Sequence, residues 1–146
     1  MKKLYYGCEE FRSDCKKLAD NVEEYNPEVI VAIARGGLSL AQYLGELLNI
    51  REVYSINSIG YDGEKKLESV KVYNTPLIEQ GKRVLIVDDI ADSGETLKEV
   101  IKKLKEKSPS CEYKSATIFY KKSSIFQPDF KLREAKEWIE FFWSGD

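Results

Sequence analysis

Hydrophobic and polar positions follow two alternating rhythms along this chain. Residues 29–34 and 84–87 are short unbroken aliphatic runs, rich in Val and Ile, of the kind found where a strand is buried on both faces of a parallel sheet. Each is followed by a polar turn and then by apolar residues at helical spacing. Leu38, Ala41, Leu44 and Leu48 follow the first run, and Leu97, Val100, Ile101 and Leu104 follow the second, in a helix ending near Pro109. Upstream, Phe11, Cys15, Leu18, Ala19, Val22 and Tyr25 recur at i, i+4, i+7 and i+8, an amphipathic helix with Lys16, Lys17 and Asp20 outward. Val53, Ser55, Asn57 and Ile59 mark a third strand, Val70 and Val72 a fourth, and residues 113–120 another. The polar stretch 60–68, with Gly60, Gly63, Lys65 and Lys66, reads as a loop or lid, and Pro76 to Gly81 as a turn. The tail Trp138-Ile139-Glu140-Phe141-Phe142-Trp143 is short and aromatic. Strands alternating with helices predict an α/β fold, a doubly wound and mainly parallel sheet, with residues 1–146 forming one domain.

The second run carries the chemistry. After Val87 come two carboxylates, Asp88 and Asp89, then Ile90-Ala91-Asp92-Ser93-Gly94-Glu95-Thr96 leading into the helix. Open α/β sheets place ligands at the carboxyl ends of such strands. Two acids there suit vicinal hydroxyls, or a metal held through water. Hydroxyls, a glycine and consecutive backbone N–H groups at a helix start suit an anion. A sugar bearing a phosphate satisfies both halves. Asp92 or Ser93 acting only as a helix cap is the simpler reading, but it leaves the two preceding acids unexplained. Arg35-Gly36-Gly37 repeats the arrangement at the other aliphatic run: glycines allow close backbone approach, and the guanidinium fork suits phosphate.

Composition narrows the chemistry further. The chain has no histidine, so acid–base work falls to carboxylates, Lys or Tyr, and His-ligated metal sites are excluded. The net charge of −2, with no basic tail, argues against nucleic acid as the main partner. No apolar run approaches the length of a membrane span, and the polar start Met1-Lys2-Lys3 does not resemble a signal peptide, so a cytoplasmic location is expected. Cys8, Cys15 and Cys111 are odd in number and widely spaced, and are expected to be reduced packing residues. Neither G-x-x-x-x-G-K-[ST] nor G-x-G-x-x-G occurs, which removes the P-loop and dinucleotide-binding readings. A receiver domain would carry its acidic pair near its start, and too little chain follows residue 89 for one.

The aliphatic run, Asp-Asp, two residues and Asp-Ser-Gly-Glu-Thr resemble the phosphoribosyl pyrophosphate (PRPP) signature of type I phosphoribosyltransferases. Four further stretches, 33–38, 58–62, 116–121 and 137–140, look in order and spacing like the bacterial xanthine-guanine phosphoribosyltransferases. The resemblance implies that family's fold, with a small hood formed by the C-terminal segment. It implies transfer of the 5-phosphoribosyl group of PRPP to a 6-oxopurine, with Mg²⁺ as cofactor and a homo-oligomer, dimer or tetramer, as the assembly. By residue, it assigns PRPP to Arg35, Gly36, Gly37, Asp88, Asp89, Ala91, Asp92, Ser93, Gly94, Glu95 and Thr96, with Asp89 also on Mg²⁺, through water. Asp92 would take the proton from purine nitrogen 7. Lys121 would donate to the 6-oxo group, with neighbouring Lys122 as the alternative. Trp138 would stack on the base and the Ile139 backbone would meet its 2-substituent. It also implies a cis peptide before Gly36 and a closing segment from Ser58 to Glu68. Two rivals remain: transfer to another base such as a pyrimidine, and a non-catalytic PRPP-binding regulator.

Overall fold

A computed structural model of the protein describes residues 2–62 and 65–145, with side chains described outside 61–68. Its central sheet has six strands in the order β4 (Lys65–Tyr73), β3 (Val53–Asp62), β2 (Val29–Ala34), β5 (Arg83–Ala91), β6 (Glu112–Tyr120) and β7 (Phe130–Glu134). All neighbours are parallel except β3 and β4, which pair antiparallel. Helices α1 (Cys8–Val22), α2 (Leu38–Leu48) and α3 (Glu95–Lys107) flank it. Among the described residues, no helix is long and apolar enough to cross a membrane.

The two central strands have no solvent face, which is why their sequences do not alternate. Ile30, Ala32, Leu85 and Val87 point to one side, into a core with Leu18 and Val22 of α1 and Leu40 and Leu44 of α2. Val29, Val31, Ile33, Val84 and Ile86 point to the other, against Leu97, Val100, Ile101 and Leu104 of α3. Successive side chains leave a strand on opposite faces, so a continuous aliphatic run supplies both cores at once.

The path of the chain sets the site. From β2 the chain runs through α2 to β3 on one side; from β5 it runs through α3 to β6 on the other. β2 and β5 are thus the pair at which strand order reverses, and the loops leaving their carboxyl ends diverge around a crevice.

Several expectations need correction. β5 does not stop at Val87: its pairing with β6 continues through Asp88↔Thr117 to Ala91↔Tyr120, while its pairing with β2 ends at Ala32↔Val87. The acids therefore stand on a strand still held on one side and free on the other. Most of the expected lid is a hairpin, since β3 runs to Asp62 and β4 begins at Lys65. Gly63, Glu64 and the side chains of residues 61–68 lie outside the described residues. The cis peptide is Ala34–Arg35, one bond earlier than expected. Cys15 is buried as expected, but Cys8 is exposed because it opens α1 on its outer side.

The hood is built from both ends of the chain. β1 (Lys3–Tyr6) pairs in parallel with β8 (Trp138–Phe141), matching Lys3 to Trp138 and Tyr6 to Phe141. Tyr6 sits edge-on to Phe119 at 5.0 Å and to Phe141 at 5.8 Å between ring centres, and Phe141 stacks on Trp143 at 4.7 Å. Below this cluster lies a charge. Asp14 of α1 is 1% exposed; it accepts hydrogen bonds from Tyr6 Oη at 2.6 Å, Arg133 Nε at 2.7 Å and Arg133 Nη2 at 3.1 Å. One carboxylate thus joins β1, α1 and β7. Arg133→Leu would strip the cation from a buried anion. The cost expected is about 3 kcal/mol, the low end for breaking such a pair, because Arg133 is itself partly exposed. Denaturant melts of this variant and of Asp14→Asn/Arg133→Leu check it: the double variant recovers part of the loss.

Candidate functional site

Glycine lets the two switch-point loops touch. At Gly37 a Cβ would lie 2.4 Å from Val87 O and 2.9 Å from Ile33 O, so any side chain would drive the β2–α2 turn away from β5. At Gly36 it would lie 2.6 Å from the Asp89 carboxylate. Arg35 is exposed at the mouth. The Gly37 amide donates to Ile33 O at 2.8 Å, which commits it to the fold rather than to a ligand.

Asp88 and Asp89 face this approach. Asp88 is 9% exposed, its Oδ1 accepting the Asp89 amide at 2.9 Å, while Asp89 Oδ1 accepts the Ile90 amide at 2.7 Å. Among the described residues, neither acid takes part in an ion pair. Burial raises the Asp88 pKa well above the carboxylate range, and the Asp89 charge adds to the rise. Burial also raises that of Asp89. An unpaired acidic pair held against the cost of desolvation is an arrangement completed by a cation.

The loop after β5 bends at Gly94, with φ at +89°, where a Cβ would meet Phe126 N at 2.6 Å. Gly94 is the residue before α3, and it supplies no side-chain cap. Ser93 Oγ accepts the Glu95 amide at 3.2 Å, and Asp92 does not cap the helix. Asp92 instead pairs with Lys121, Oδ1 to Nζ at 2.8 Å. Lys122 turns the other way, to Glu134 at 3.7 Å.

Two clefts meet on the acidic pair. One, of about 480 Å³, is lined by residues 88–97 with Gly60 and Val70. The other, of about 380 Å³, is lined by Ala34, Arg35, Gly36, Ser58, Ile59 and Thr96 together with Asp88 and Asp89. The fold thus gathers Arg35, Gly36, Asp88, Asp89 and residues 91–96, with Lys121 reaching in through Asp92. Trp138 and Ile139 line neither cleft: Trp138 is 61% exposed at the start of β8, and the Ile139 side chain is buried in the core. The sequence reading missed Ser124, whose buried hydroxyl donates to Ala91 O at 2.8 Å and also to Asp92 O. Nothing in a Lys-Lys-Ser-Ser run marks one serine as buried.

The donor set fits Mg²⁺ in one way only. Among the described residues no group of three or more potential ligands is assembled, so a closed protein cage is absent. Mg²⁺ characteristically takes one or two carboxylates and completes its shell with water and ligand phosphates, which the uncompensated pair Asp88 and Asp89 accommodates.

A strand-end acidic pair beside a glycine turn and an amide-rich loop at a sheet's switch point is the arrangement that suits a phosphorylated sugar. The chain belongs to the phosphoribosyl transferase domain family, whose model matches residues 6–145. Within it, the chain is similar to the xanthine-guanine-hypoxanthine phosphoribosyltransferase of Helicobacter pylori. The two are 38% identical, and the match covers 99% of this chain and 96% of that one with a TM-score of 0.90. It is similar also to a purine phosphoribosyltransferase from Pyrococcus horikoshii, at 32% identity, 98% and 94% coverage and a TM-score of 0.85. The xanthine-guanine phosphoribosyltransferase of Nitratidesulfovibrio vulgaris is 32% identical, over 94% of this chain and 82% of the relative.

The raised carboxylates set a sign for stability. An acid whose folded pKa exceeds its unfolded value binds more protons when folded, so stability falls as pH rises from about 4 through the folded value. Asp88→Asn keeps the oxygen that accepts the Asp89 amide and removes the buried charge. In the presence of chelator, this variant should melt above the parent at neutral pH and show a flatter pH profile. A lower melting temperature would contradict the assignment.

Proposed function

We propose that this protein transfers the 5-phosphoribosyl group of PRPP to nitrogen 9 of a 6-oxopurine, releasing pyrophosphate. The observation that carries the reading is the meeting of two phosphate-suited clefts on one uncompensated acidic pair, with a lysine placed just beyond. In the proposed complex, the amides and hydroxyls of residues 93–96 hold the 5-phosphate at the start of α3, where an anion is favoured. Asp88 and Asp89 accept hydrogen bonds from the ribose hydroxyls. Arg35 and the Gly36 amide take the pyrophosphate end, the Gly37 amide being occupied. Mg²⁺, carried with PRPP and held by Asp89 through water, would offset charge on the leaving pyrophosphate.

The reaction forms a bond from nitrogen 9 to the anomeric carbon and breaks that carbon's bond to pyrophosphate. The proton lost by the purine has a receiver in Asp92, whose Oδ1 is engaged by Lys121 and whose Oδ2 has no partner among the described residues. The same lysine would donate to a 6-oxo group, an acceptor that adenine's 6-amino group does not provide. The pairing of Lys122 with Glu134 favours Lys121 for this role. Exposed Trp138 offers an aromatic face for stacking. At Ile139 only the backbone is available, since its side chain is committed to the core.

The test is a steady-state assay with PRPP, Mg²⁺ and guanine, xanthine, hypoxanthine, adenine or orotate, following nucleotide and pyrophosphate together. Turnover with 6-oxopurines alone is expected. Turnover with orotate would favour a pyrimidine enzyme, and PRPP binding without turnover a regulator.

Two variants test the roles. Lys121→Ala should raise the purine KM by a free energy of about 1.5–3 kcal/mol, the worth of a hydrogen bond to a charged group, with PRPP affinity kept. If Lys122→Ala shows that loss instead, the assignment is one residue off. Asp92→Asn should fold normally and slow single-turnover chemistry by roughly 10²–10⁴-fold, the usual general-base contribution. A parent-like single-turnover rate would remove Asp92 from the chemistry.

A further inference from the structure

The loop after β5 is braced from behind by the segment that follows β6. Three consecutive carbonyls, of Ala91, Asp92 and Ser93, are all held from that side. The Lys121 amide donates to Ala91 O at 3.0 Å, and the Ile125 amide donates to Ser93 O at 2.8 Å. Among the described residues, the carbonyl between them, Asp92 O, is reached only by the Ser124 hydroxyl, which is shared with Ala91 O. Ser124 is 8% exposed, and its own position is fixed: its amide donates to Lys121 O, and Gln127 Nε2 donates to the carbonyls of Lys121 and Ser124 at 3.0 and 3.1 Å.

A trans peptide turns its C=O and its N–H to opposite sides. Carbonyls drawn back toward the brace therefore send the following amides forward, toward the cleft lined by residues 88–97. Backbone donors, present whatever the side chains, orient the peptides on either side. Of these three peptides, and among the described residues, the Asp92–Ser93 peptide depends on a side chain. We propose that Ser124 is a positioning residue for the phosphoribosyl site: its hydroxyl fixes the Asp92–Ser93 peptide so that the Ser93 amide faces the 5-phosphate of PRPP. This rests on the function proposed above.

Calorimetric titration with PRPP and Mg²⁺, alongside steady-state kinetics, tests it on the parent, Ser124→Ala and Ser124→Thr. Loss of one well-made hydrogen bond corresponds to about tenfold, so Ser124→Ala should bind PRPP about tenfold more weakly. The purine KM at saturating PRPP should be retained, and Ser124→Thr, which keeps the hydroxyl, should recover most of the affinity. If Ser124→Ala melts below the assay temperature, Ser124→Cys, similar in size with only a weak donor, carries the same expectation. PRPP affinity equal to the parent's in the hydroxyl-free variant overturns the proposal. So does a purine KM that rises in step with that for PRPP, or a Thr variant as weak as the Ala one. A parent that binds no PRPP overturns the phosphoribosyl reading as well, which separates the two failures.

Discussion

The site depends on how closely the backbone at Gly36 and Gly37 lies against the end of β5. With Val87 O only 2.4 Å from where a Gly37 Cβ would stand, the two loops meet only in the absence of side chains. Beside that contact the pairing of β2 with β5 ends at Ala32↔Val87, while β6 holds β5 in register as far as Ala91. Asp88 and Asp89 are therefore carried on a regular strand yet open to the crevice. A rigid strand fixes their position more tightly than a loop would, and positioning is a large share of what a binding site supplies.

Two kinds of buried carboxylate stand in one small protein, and their partners tell them apart. Asp14 is satisfied by Tyr6 and Arg133, so its burial serves the junction of β1, α1 and β7. Asp88 is similarly enclosed but meets another carboxylate and one backbone amide, and its pKa rises accordingly. The first arrangement stabilises the fold. The second opposes it in the free protein and is relieved by whatever brings positive charge, which is why unpaired acids in a cleft mark binding sites.

A similar economy governs the β5–α3 loop. The positive φ of Gly94 turns the chain into α3 with the Ser93 hydroxyl accepting only the Glu95 amide, so the loop carries few side-chain contacts to its own amides. The segment after β6 holds the back of this loop and also delivers Lys121 to Asp92 at 2.8 Å. The groups proposed for the base and for the 5-phosphate thus share a backbone support.

The sequence by itself determined the central strands, the three helices and the acidic and glycine-rich turns, because each has a local cause. Short unbroken runs rich in Val and Ile suit central strands, amphipathic spacing makes helices, and glycines and acids at strand ends mark the candidate site. It did not reveal β7, whose Phe130 and Leu132 pack on the core but whose five residues are all half-buried, too weak a pattern against its charged neighbours. Nor did it reveal β1, whose first three residues are exposed and whose strand partner, β8, lies more than 130 positions further along the sequence. Tertiary structure alone decided that Lys121 rather than Lys122 meets Asp92, that Asp14 finds Arg133 across 119 positions, and that Ser124 is buried behind the β5–α3 loop. Such facts depend on which distant segments are brought together, and a pattern read along the chain carries only what neighbours in sequence impose on one another.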